Sequence, residues 1–178
     1  MTNEQIFDIL RPIVMAVTGV SECILETTGS ASPAPSPTGE YAAIRPQQSI
    51  TQRGQANIIR KPGIAPATQS VDIRAQVFCK VWINFYRGDA MSRAQRLMQC
   101  HKRPDVSATL FRAKLGWMGA DAANNLTELQ FETTESRAQI AINLAYETID
   151  PVVINSIEQV PVIIEYENGD TITTIDVV

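Results

Sequence analysis

The sequence predicts an α+β fold: a mixed, mainly antiparallel β-sheet carrying an N-terminal helix and a central helical segment, with long loops. Three observations predict it. Apolar residues recur at helical spacing over residues 6–17. They alternate strictly over residues 71–86. Short alternating runs with turn residues between them fill the segment after residue 128. The 178 residues suit one domain, residues 1–178, and the 44% hydrophobic content suits an ordinary core. Aromatics are 6%, so that core must lean on Val, Ile, Leu and Ala.

The first helix opens on Thr2 and Gln5, the two positions of a capping box, in which each side chain satisfies a backbone donor of the first turn. Ile6, Ile9, Leu10, Ile13, Val14 and Val17 form its apolar stripe. Pro12 is a potential kink and Gly19 a stop. Residues 22–27 suit a short strand. Residues 28–40 are rich in Pro, Ser and Gly and cannot bury a core of their own. They are either a floppy surface loop or an arm laid on a partner. Residues 41–51 read as an interrupted strand. Residues 53–70, with Gly54, Pro62, Gly63 and Pro66, read as a second long loop or a distorted hairpin.

Val71, Ile73, Ala75, Val77, Cys79, Val81, Ile83 and Phe85 occupy every odd position of the clearest strand. At about 3.3 Å per residue it spans roughly 50 Å, long for a small domain, so its end is expected to reach an interface. Phe78, Trp82 and Tyr86 share its other face, either covered by the first helix or serving as interface anchors. Asp89 caps a second helix running to about Lys102, with Ala90, Ala94, Leu97 and Met98 inward. A third runs from Pro104 to about Leu115, with Leu110 and Phe111 inward, closed by Gly116 and Gly119. Residues 128–132 and 138–146 read as a hairpin turning at 133–136. Residues 160–166 and 171–178 read as another, turning at Asn168 and Gly169.

Composition narrows the function classes. No segment approaches the roughly 20 apolar residues of a membrane helix, and no secretion signal is expected. Cys23, Cys79 and Cys100 have neither metal nor disulfide spacing and read as reduced thiols. The lone histidine, His101, follows Cys100, but neighbours in a helix point about 100° apart and form no dyad. No nucleophile elbow, phosphate loop or metal cluster is present, so neither catalysis nor a cofactor is expected. Arg93, Arg96, Lys102 and Arg103 form a basic helix surface, solvated or facing another subunit rather than reading nucleic acid. Residues 1–116 hold 14 Lys and Arg against 8 Asp and Glu, and residues 117–178 hold 1 against 11. The two stretches thus carry +6 and −10 against a whole-chain −4, which is either chance or a means for copies to meet basic face to acidic face.

A helix and a Pro-rich entry, Pro33 to Tyr41, lead to Tyr41-Ala-Ala-Ile44. A long strand ends in Val81-Trp-Ile-Asn-Phe-Tyr86, and a helix begins at Asp89. A hairpin follows, with Arg137 at the start of its second strand, and then a terminal β region. This order of elements resembles the neck and tail terminator proteins of contractile-tailed bacteriophages. The resemblance implies a virion protein: a homo-oligomeric ring, a hexamer, on top of the tail tube. Its implied partners are the tail tube protein, the sheath protein and the head-completion or connector protein. DNA would pass through the lumen, no membrane would be involved, and assembly would take place in the host cytoplasm. Another neck ring component, or a small ligand-binding or hydrolase domain, are the competing readings; the absent catalytic constellation argues against the last. Phe78, Trp82 and Tyr86 are the candidate anchors, and Arg93, Arg96 and Arg103 the candidates for pairing with acids of the next copy.

Overall fold

A computed structural model of the chain describes residues 1–26, 37–62, 68–130, 133–155, 160–165 and 171–177. Helix α1 (Asn3–Thr18) carries the expected capping box: Thr2 accepts from the Gln5 amide and Gln5 accepts from the Thr2 amide. It runs on through Pro12 and ends where Gly19, at φ 75°, donates to the Met15 carbonyl. Ile6, Leu10, Ile13 and Val14 are buried, as a stripe at 3.6-residue spacing requires.

Strand β1 (Glu22–Leu25) pairs in parallel with the start of β2 (Tyr41–Pro62). Strand β3 (Thr68–Tyr86) lies beside β2, and β8 (Arg137–Asn155) lies beside β3. Between them in the chain come α2 (Ala90–Met98), a 3-10 turn (Cys100–Lys102) and α3 (Pro104–Arg112). Strands β4 (Gly116–Ala120) and β5 (Asn124–Asn125) then pair antiparallel with β8. The result is a six-stranded mixed sheet, mostly antiparallel, in the order β1-β2-β3-β8-β4, with β5 also on β8. Strands β6 (Glu128–Gln130) and β7 (Thr133–Glu135) form a separate small hairpin. Strands β9 (Val160–Glu165) and β10 (Thr171–Val177) form another, and the expected turn at Asn168 and Gly169 lies outside the described residues.

One apolar cluster joins the three helices to one face of the sheet. It takes Val77, Cys79, Val81, Ile83 and Phe85 from β3, Ala42 and Ile44 from β2, and Ala138, Ile140, Ile142 and Leu144 from β8. Period-two alternation thus holds from Val77 to Phe85, whereas Ile73, an odd residue expected inward, is exposed and Asp72 is buried. Contacts divide the described chain into two compact units, residues 1–55 with 75–148 and residues 56–74 with 149–178. Strands β2, β3 and β8 contribute residues to both.

Several local expectations differ from what is seen. Residues 53–62 are strand, strand resumes at Thr68 and β2 lies beside β3, so of the two readings of 53–70 the long loop is not seen and the paired strands fit the hairpin; residues 63–67 lie outside the described residues. Most of the loop expected at 28–40, residues 28–36, also lies outside it. Gly116 and Gly119 do not end a helix but sit in the edge strand β4, whose register shifts between Trp117 and Gly119. Thr133–Glu135 is strand, and it pairs with β6, so the hairpin forms one strand earlier than expected. Phe111, expected inward, is 83% exposed. Leu110, beside it on α3, takes the inward position.

Candidate interaction face

The helices bury one side of the sheet, so the even-numbered residues of β3 turn to the other. There Phe78, Trp82 and Tyr86 lie half-buried in a row, with Lys80 and the buried Asn84 between them. The first helix does not cover them, because its buried apolar residues, Ile6, Leu10, Ile13 and Val14, all join the odd-face cluster.

Charged groups frame this row. Tyr86 stacks on Tyr41 with ring centres 4.6 Å apart and planes 8° from parallel. The Arg137 guanidinium sits 5.0 Å above the Tyr86 ring, and that of Arg87 lies 5.9 Å from the Tyr41 ring. Burial raises the Tyr86 phenol above its ordinary range, partly offset by the Arg137 charge. Glu26 accepts from the Asn84 amide at 3.2 Å, and the Asn84 carbonyl accepts from Gln139 at 3.0 Å. Lys80 donates to Asp121 at 2.9 Å and Asn143 donates to the same carboxylate at 2.8 Å, so both hold Asp121 below the usual carboxylate range. At the far end Arg53 stands 5.8 Å from the Phe78 ring, beside a cleft lined by Gln76, Met118 and Glu147.

Arg87 ties the end of this face together. Its backbone takes φ 65° and the next residue, Gly88, φ 57°, which turns β3 sharply toward α2. Its amide donates to the Ser136 carbonyl at 2.7 Å. Its guanidinium donates to the carbonyls of Pro37 at 2.6 Å and Gly39 at 3.1 Å, and to Glu135 at 3.2 Å. This arginine is inconspicuous in the sequence, because nothing in a one-dimensional pattern marks the carbonyls that converge on it.

The expected basic set divides. Arg93 is mostly covered and pairs with Glu40 of its own chain. Arg103 makes two bonds to Asp105, at 3.2 and 2.8 Å. Arg96 is exposed and has no ion pair among the described residues. The three therefore point to different local environments rather than to one patch. His101 stacks on Trp117 at 5.7 Å, while Cys100 is buried, so the adjacent pair forms no reactive couple. Among the described residues no group of three His, Cys, Asp or Glu could hold a metal. No described helix is long and apolar enough to cross a membrane.

The row of half-buried aromatics is thus framed by arginines on the face opposite the cluster that the helices bury. The family follows from the sequence: a model of the phage neck terminator protein family matches residues 4–170, and the chain belongs to that family. It is accordingly a structural component of the bacteriophage neck, within the virion. No curated protein gives a significant match.

Proposed function

We propose that the chain forms a closed ring of six copies that caps the tail tube, ends its polymerisation and presents the surface on which the head docks. Membership of the neck terminator family carries this reading. The two oppositely charged stretches support it, since a ring needs two different lateral faces on each copy. The tail tube protein lies below the ring, the sheath beside it and the head-completion or connector protein above. Assembly takes place in the host cytoplasm. DNA passes through the lumen, where acids of the C-terminal half repel phosphate and keep the wall slippery. Phe78, Trp82 and Tyr86 anchor contacts between subunits or with these partners, and the exposed Arg96 pairs with an acid of the next copy.

Phage assembled without this chain tests the reading. Tails of uncontrolled length that fail to join heads are expected in electron micrographs. Finished tails of uniform length beside heads that leak DNA would assign the chain to head completion instead.

A further inference from the structure

Within the second unit, β2, β3 and β8 lie side by side, with β2 and β8 at the two edges. β1 pairs with β2 only at Tyr41–Ile44, and β4 and β5 pair with β8 only inside residues 138–145. Residues 56–62 of β2 and 149–155 of β8 therefore have no ladder partner on their outer sides among the described residues.

The β8 stretch is exposed at every position: Ile149 is 51% exposed, Val152 36%, Val153 69% and Ile154 41%. The β2 stretch exposes Ile58 at 59%. Apolar side chains beside unpaired backbone groups are what natural sheets avoid leaving in water. The two edges also differ in charge. From residue 48 to 62, β2 carries Arg53, Arg60 and Lys61 and no acid; from 145 to 155, β8 carries Glu147 and Asp150 and no base. Lys61 is bound to Asp72, which leaves Arg60 and Asp150 as the charges available at the two stretches.

We propose that neighbouring copies join by strand addition: the outer edge of residues 149–155 in one copy lies along residues 56–62 of the next. The inference rests on the ring reading and specifies its lateral contact. The occupant is a second copy because the two stretches belong to the same chain, match in length and are opposite in charge. Each contact consumes a different edge on each copy, so it propagates head to tail and closes into a ring when the rotation allows. Pro151 fits this arrangement. The carbonyls of Arg137 and Ala141 face the β4 side, accepting from Leu126 and Asp121. Carried on at period two, Pro151 places its missing N–H on the outer edge, where no bond to β3 is lost, and Ile149 and Val153 present the outward donors.

The test is Val153→Pro, which removes one outward donor and spares the ladder to β3, measured by native mass alone and on tail tubes, beside thermal unfolding. Wild type should assemble, and the variant should stay monomeric with the midpoint that wild type shows when diluted to a monomer. Arg60→Glu and Asp150→Arg should each raise the concentration needed for assembly roughly tenfold or more, and the double variant should restore it; this pair decides the matter if the proline variant fails to fold. Rings of Val153→Pro, with charge variants that also assemble as wild type does, overturn the edge contact while leaving the ring reading intact. A wild-type chain that forms no ring, alone or on tubes, overturns the ring reading and this contact with it.

Discussion

Asp72 is 5% exposed and accepts from Lys61 and from Arg74 at 3.3 Å. These bonds hold its carboxyl below the ordinary 3.8. A depressed carboxylate stabilises the fold above its unfolded value, and that contribution disappears as pH falls through the lower folded value. Asp72→Asn should therefore flatten the acid limb of the stability profile below pH 3.8, read as urea midpoints; an unchanged limb would contradict the assignment. The cysteines behave in the opposite sense. Burial pushes Cys23 up to about 12 and Cys100 to about 11, and raises Cys79 as well. All three thiols should resist a thiol reagent in the folded chain at neutral pH and react together on unfolding. Gly88 is constrained twice, by its φ of 57° and by Glu40, whose carboxylate oxygen would lie 1.9 Å from an added Cβ. Gly88→Ala should cost about 1–3 kcal/mol in chemical denaturation and displace Glu40 from Arg93.

Helix α1 is the element whose sequence and structure agree most closely, because a capping box and a 3.6-residue stripe are both local signals. Leu10 is fully buried in the joint cluster, so Leu10→Ala should destabilise by about 2–5 kcal/mol. Phe111 is the contrasting case: Phe111→Ser should stay within about 0.5 kcal/mol of wild type, since 83% of the residue is already in water. Its sequence neighbour Leu110 fits the same apolar spacing, and periodicity alone could not say which of two adjacent residues would face in. The strand at 53–62 was hidden for another reason. Residues 51–58 are exposed on both faces, so no alternation was required there, and Gly54 read as a loop residue. Likewise β4 holds two glycines in five residues and is a strand through its ladder to β8, which side-chain pattern does not encode. The aromatic row was legible from period two alone. The convergence of Pro37, Gly39 and Glu135 on Arg87 was not, because those partners lie 48–50 residues away in the chain.

At the scale of the molecule, residues 53–61 and 149–155 are strand whose side chains are mostly exposed. Strands whose side chains are exposed on both faces are stabilised little by burial within one copy, and the same exposure makes them available to another. In the ring proposed above, the next copy covers these strands. Native mass of the purified chain across a range of concentrations tests this most directly. The account predicts a discrete species of about six times the 19.6 kDa chain mass, appearing as concentration rises. A single species at 19.6 kDa throughout, persisting when tail tubes are added, would contradict it.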